Sequence, residues 1–133
     1  VRLLLDTHVI FWALQSPERL GQTCRQNIED TTNELNVSSI SHLEFGQLVA
    51  SGRIRVKGTL DSWMHRGAVE LGMATLDITP RIALLAYGLP GEFHKDPADR
   101  ILVATAIHHG LTLVTADDRI LSYEHLKSFN ARL

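Results

Sequence analysis

A single parallel β-sheet covered by helices on both faces is the fold class this sequence predicts, and three observations predict it. Short strand-like apolar runs alternate with helix-length segments along the whole chain. The first run, Leu3–Leu5, is continuously apolar, as strands buried on both faces are. At 133 residues the chain has the size of one domain with one packed core.

The elements follow in order. "LLLD" (3–6) reads as a buried strand ending in an acid, and "THVIFWAL" (7–14) as a helix apolar nearly all round. "SPERLG" (16–21) is a turn, "QTCRQNIEDTTN" (22–33) a polar helix, and "NVSSI" (36–40) the second strand. "SHLEFGQLVASG" (41–52) is predicted as a helix with Ser41 as N-cap and Gly52 as its stop. The basic stretch "RIRVK" (53–57) leads to a helix from about Thr59 to Gly72, and "MATLDI" (73–78) is the third strand. Thr79 and Pro80 cap "RIALLAYG" (81–88), and "LPGEFHK" (89–95) is a loop. Asp96 is then the N-cap of a helix that starts on Pro97, carries Asp99 in its first turn and stops at Gly110. "LTLVTA" (111–116) is the fourth strand, followed by a short acidic turn.

Composition narrows the function classes. Hydrophobic residues make up 44% and charged residues 21%, as in soluble globular proteins. No apolar run approaches the roughly 18–20 residues of a membrane span, so no membrane partner is expected, and "VRLLL" is too short for a signal peptide core. The single cysteine, Cys24, can form no internal disulfide, which fits a reducing, cytoplasmic compartment. Thirteen basic against fifteen acidic residues, a net charge of −2, exclude non-specific coating of nucleic acid. They leave room for an enzyme with an acidic centre and a local basic rim.

In a parallel sheet, sites lie beyond the carboxyl ends of the strands, so the acids there carry information. Asp6 ends the first strand, Glu44 follows the second, Asp99 sits in the first turn of the late helix, and Asp117 follows the fourth strand. Each has a local explanation: a cap for Asp6, a capping box with Ser41 for Glu44, first-turn dipole complementarity for Asp99, a turn for Asp117. Together they are harder to explain locally, because carboxylates converging within about 4 Å repel by roughly 4 kcal/mol per pair at an effective dielectric near 20. Such a group takes up protons or binds cations, and an all-oxygen donor set suits Mg²⁺ or Mn²⁺. A hard divalent ion there can activate water and neutralise charge on a phosphoryl oxygen, which points to hydrolysis of a phosphodiester.

These residues resemble the PIN-domain nucleases, and more closely the VapC-like toxins of bacterial toxin–antitoxin pairs. The resemblance runs over essentially the whole chain and rests on "LLLDTHVIFWAL", "SSISHLEFGQL", "HKDPADRILVATA" and "GLTLVTADDRI". It implies one PIN-like nuclease domain over residues 1–133 and a Mg²⁺- or Mn²⁺-dependent endoribonuclease. Asp6, Glu44, Asp99 and Asp117 would be its metal-binding and catalytic acids, with RNA as substrate. It further implies a homodimer silenced by a cognate antitoxin. Asp99, not Asp96, matches the family's helix acid, so Asp96 mainly caps; Asp96 and Asp118 remain candidates for contribution through water.

Other residues divide between site and scaffold. His8 either lines the site or is an ordinary helix residue, and His94, in the loop two residues before Asp96, either contacts RNA or is an ordinary loop residue. His108 and His109, in a last helical turn, are structural. Thr7 and Thr115 neighbour the acids and either orient them or make local turn bonds. Arg100 is expected on a solvated helix face, and "RIRVK" on a solvated or RNA-facing edge. Phe11, Trp12 and Leu14 either pack within the domain or meet a partner. An aspartyl-nucleophile phosphatase lacks its second acid at His8, no lysine stands where a receiver domain needs one, and no GxGxxG is present. The surviving alternative is a catalytically inactive PIN-like binding module.

Overall fold

The computed structural model describes residues Val1–Leu133. Strand β1 (Arg2–Leu5) leads into helix α1 (Thr7–Gln15), a 3₁₀ turn (Pro17–Arg19) and α2 (Gln22–Glu29). Next come β2 (Glu34–Ser38), α3 (Ser39–Ala50), α4 (Leu60–Leu71), β3 (Met73–Leu76) and α5 (Pro80–Leu85). The chain finishes with α6 (Pro97–His109), β4 (Thr112–Thr115), α7 (Asp118–Leu121) and β5 (Ser128–Asn130). All five strands are parallel, in the order β3-β2-β1-β4-β5.

The period of two along β1 divides the core between the sheet's faces. Leu3 and Leu5 join Leu35, Val37, Phe45, Trp63 and Val114 on one side. Leu4 joins Leu102, Val103, Leu113 and Ile120 on the other. Both faces are sealed, as a parallel sheet requires, so truncating any of these side chains to alanine costs about 2–5 kcal/mol. Phe11, Trp12 and Leu14 pack against the first of these cores, Phe11 with its ring 6.2 Å from that of Trp63, which favours the packed explanation for that apolar helix.

Several boundaries differ from the sequence expectation. Strand β1 stops at Leu5, so Asp6 caps α1 instead of ending the strand. Strand β3 stops at Leu76 instead of Ile78, and α5 stops at Leu85. The second strand runs 34–38 instead of 36–40, and α3 is capped by Ser38, whose Oγ accepts from the Ile40 amide at 3.1 Å. Ser41 is therefore not a cap. It is a buried residue inside the helix, and the Ser41–Glu44 capping box does not exist. The polar helix stops at Glu29, because Asp30 turns the chain by accepting from the Thr32 amide and hydroxyl. A fifth strand, β5, pairs with β4, where four were expected.

Two glycines are needed where they stand. Gly110 ends α6 at φ 66°, a left-handed conformation that disfavours any Cβ. Gly21 begins α2 against the Leu133 main chain, where a side chain would overlap it; Leu133 O accepts from the Thr23 and Cys24 amides at 2.8 and 3.3 Å.

The sheet also positions the site. The chain moves outward from β1 to β2 and β3, then returns to place β4 on the opposite side of β1. The order reverses between β1 and β4, and open parallel sheets bind ligands beyond the strand ends at such a point.

Candidate active site

Beyond the carboxyl ends of β1 and β4 lies a cleft of about 320 Å³ lined by Asp6, Glu44, Asp96, Asp99 and Asp117, with His8, Trp12 and Arg119 on its walls. All four sequence-predicted acids thus border one cavity, although Asp6 and Asp117 are separated by most of the chain. Asp6 caps α1 through Oδ1, which accepts from the Thr7 amide at 2.7 Å, as its local explanation required. Its Oδ2 accepts from the Thr115 hydroxyl on β4 at 2.7 Å, which no local role explains. Burial raises the Asp6 carboxyl above its ordinary range against the pull of both donors, Thr115 the stronger.

Glu44 projects from the second turn of α3. Its Oε1 accepts from the Thr7 hydroxyl at 2.6 Å, and Thr7 Oγ1 lies 2.8 Å from Ser41 Oγ. A hydroxyl has one proton, so with Thr7 donating to Glu44, Ser41 donates to Thr7. The Glu44 carboxyl is raised by burial and by the charges of Asp6 and Asp96.

The other flank is arranged differently. Asp96 caps α6 with Oδ1, accepting from the Ala98 and Asp99 amides at 2.9 and 3.2 Å, while its side chain borders the cleft. Asp99 is pushed up to about 7, first by burial and then by the charges of Asp96, Asp6, Asp117 and Glu44. Asp117 caps α7 and accepts from the Arg119 guanidinium at 3.0 Å, and this bond holds its carboxyl below the usual range. The same Arg119 Nη2 reaches within 3.6 Å of Asp99 Oδ2. Burial and the Arg119 charge hold the His94 imidazole below its ordinary range, with Nε2 3.1 Å from Asp99 Oδ2.

No three His, Cys, Asp or Glu side chains stand as a ready-made cation cage. Arg119 and His94 face Asp99, and Arg119 pairs with Asp117. Five carboxylates still share one cleft with a single bordering arginine, and every acidic donor is a hard oxygen. By charge and donor type the cleft fits Mg²⁺ or Mn²⁺ better than zinc.

Several other residues are now placed. Asp118 pairs with Arg132 at 2.6 Å and does not border the cleft. His108 and His109 close α6 as expected, their rings edge to face at 4.8 Å. Arg53, Arg55 and Lys57 are all exposed without forming a strand, while Ile54 and Val56 between them pack on the core. Arg100 is not solvated: its guanidinium donates to the main-chain carbonyls of His94, Ala86 and Phe93 at 2.9, 3.0 and 2.7 Å. Sequence reasoning missed the roles of Arg119 and Ser41. Ser41 could have been found by correcting the strand end by two residues, whereas nothing local marks Arg119.

Known proteins give a consistent picture. The model of the PIN domain matches residues 3–126. Ribonuclease VapC22 of Mycobacterium tuberculosis is 42% identical over 123 residues, 92% of each chain. VapBC2 from Rickettsia felis, solved bound to a DNA fragment from its promoter, superposes with a TM-score of 0.67 at 16% identity, covering 98% of each chain. FitAcB from Neisseria gonorrhoeae gives 0.64 at 22% identity over 97% of each chain, and DNA-bound VapBC from Salmonella typhimurium 0.64 at 18% over 97%.

Proposed function

The chain belongs to the PIN-domain family, and on that premise we propose that it is a VapC-like endoribonuclease, the toxin of a toxin–antitoxin pair. It hydrolyses RNA phosphodiester bonds with Mg²⁺ or Mn²⁺ held by Asp6, Glu44, Asp99 and Asp117. The single observation that carries this reading is the gathering of those four acids, from four separate segments, around one cleft at the switch point of the sheet.

A bound divalent ion would supply polarisation of the phosphoryl oxygen and acidification of water. The protein's own groups do the rest. Thr115 and the Thr7 amide fix both oxygens of Asp6, and the Ser41–Thr7 pair fixes Glu44, so neither carboxylate reorients during reaction. Arg119, with its side chain 60% exposed, stands at the rim and offers a planar fork suited to a substrate phosphate. Trp12 and His8 also line the cleft, their rings 6.0 Å apart.

A cognate antitoxin and a second copy of the chain are the partners proposed, in the cytoplasm. The relatives solved as VapBC assemblies support the first, and exposed apolar Leu43, Leu84 and Tyr87 give either partner a surface.

Incubation of purified protein with defined tRNA and mRNA substrates in Mg²⁺, Mn²⁺ or EDTA tests this reading. Cleavage lost in EDTA and restored by Mn²⁺ is expected. RNA binding without cleavage under every condition would make the chain an inactive binding module instead.

A further inference from the structure

We propose that His94, locked by Arg100, is a positioning residue that selects which oxygen of Asp99 faces the cleft; this rests on the metal-site reading above. Arg100 follows Asp99 on α6 yet turns away from solvent. It uses three of its N–H groups on the carbonyls of Ala86, Phe93 and His94, and its guanidinium lies 5.1 and 5.9 Å from the rings of Tyr87 and Phe93. An arginine committed to three main-chain acceptors is a clamp, and what it clamps is the segment that carries His94. Phe93 closes the arrangement, its ring 4.4 Å from the imidazole and 5.1 Å from Tyr123, whose hydroxyl donates to Pro90 O at 2.5 Å.

The clamp fixes the imidazole's orientation. His94 Nδ1 accepts from the Asp96 amide at 3.4 Å, so in the neutral ring the proton resides on Nε2. That Nε2 is buried, has no completed hydrogen bond, and faces Asp99 Oδ2 at 3.1 Å. A buried N–H without a hydrogen bond calls for an acceptor, and the Asp99 carboxylate stands 3.1 Å from it. Once its N–H is brought into line, His94 holds Oδ2, which Arg119 Nη2 also approaches at 3.6 Å, and leaves the other oxygen for the cleft, as outer partners orient ligating groups. The proline at position 97 makes the coupling tight: Asp96, Pro97 and Asp99 share the first turn of α6, so His94 and Asp99 are fixed by one backbone segment at both ends.

The test measures Mn²⁺ binding to RNA-free protein by electron paramagnetic resonance, with melting curves in EDTA. His94→Phe keeps a flat ring and loses the donor; His94→Gln places an amide N–H where Nε2 stood. We expect His94→Phe to weaken Mn²⁺ binding about tenfold with its melting temperature in EDTA unchanged, and His94→Gln to stay within about threefold of wild type. Arg100→Lys, whose ammonium cannot span three carbonyls, should weaken binding like His94→Phe. Wild-type affinity in His94→Phe, or no rescue by His94→Gln, overturns the positioning role alone. Failure of the wild type itself to bind Mn²⁺ overturns the metal-site reading and this inference with it.

Discussion

On the β1–α3 flank of the cleft, Asp6 and Glu44 are held by hydroxyls and an amide; on the β4–α6 flank, Asp99 and Asp117 are held or faced by Arg119 and His94. A neutral donor fixes a carboxylate without cancelling its charge. Asp6 and Glu44 accordingly remain raised by burial, and only an added proton or cation can relieve them. An arginine fixes and cancels together, which is why Asp117 alone among the four acids lies below its usual range. One flank is thus rigid and under-compensated; on the other, an exposed side chain compensates Asp117 and leaves Asp99 raised. The difference teaches where an incoming cation gains: at the raised acids Asp6, Glu44 and Asp99, with Arg119 as the group it competes with for Asp117.

The strongest way to break this comparison is to remove a charge. Asp6→Asn keeps an acceptor for the Thr7 amide and should fold normally, while RNA cleavage falls by more than the roughly 10–100-fold typical of outer-partner changes. Asp99→Asn should do the same, and wild-type cleavage by either variant would refute the site. Mg²⁺ should raise the melting temperature of wild type more than that of Asp6→Asn, as differential scanning fluorimetry would show.

Thr7→Val examines the rigid flank itself. It leaves Glu44 Oε1 without its donor and Ser41 without its acceptor, so a loss of about 1–3 kcal/mol is expected, read as a melting shift of several degrees. An unchanged melting temperature would mean that the hydroxyl chain contributes nothing.

Arg119→Met examines the compensated flank. Removing the competing charge should tighten Mn²⁺ binding by about fivefold or more, since unit charges about 4 Å apart in water already interact by ~1 kcal/mol and the ion carries two. KM for RNA should rise at the same time, because the phosphate loses its fork. Calorimetry and steady-state kinetics separate the two effects, and weaker Mn²⁺ binding would contradict the competition.

The last test of the comparison is the pH dependence of metal-free stability. Asp99 ionises near 7 when folded but near its ordinary 3.8 when unfolded. Between those values the native state holds the extra proton, so stability falls as pH rises and levels off above about 7. Asp6 and Glu44 act in the same direction. Asp117 acts oppositely, contributing stability that is lost only as pH falls through its lowered folded value. Melting curves from about pH 4.5 to about pH 8 should show the decline, and Asp99→Asn should flatten it. Mn²⁺ binding should weaken below about pH 7, where the proton competes for Asp99.

Much of this architecture is legible in the residues themselves. The alternation of strand and helix carries the sheet and its parallel sense, the caps Asp96 and Thr79 stand where the sequence places them, and a helix does start next to Thr59. The fifth strand is not legible: Ser128–Asn130 is three residues long and takes its conformation from pairing with β4. "SHLE" misleads because a capping box and a helix interior use the same letters. What separates them is Thr7, 34 residues before Ser41, and no local pattern reports a partner at that distance. Arg100 reads as solvated for the same reason: its three acceptors are main-chain carbonyls, which carry no sequence signature.

The bond from Thr115 to Asp6 joins residues 109 positions apart. During synthesis at about 5–20 residues per second, Asp6 would wait roughly 5–20 s after emerging from the peptidyl centre before its partner exists. Through that interval the nascent chain already contains Asp6 and, later, Glu44 and Asp99, yet the pocket has no second wall. Hydrolytic competence therefore arrives abruptly and late, and a translation product stopped before β4 is harmless by construction.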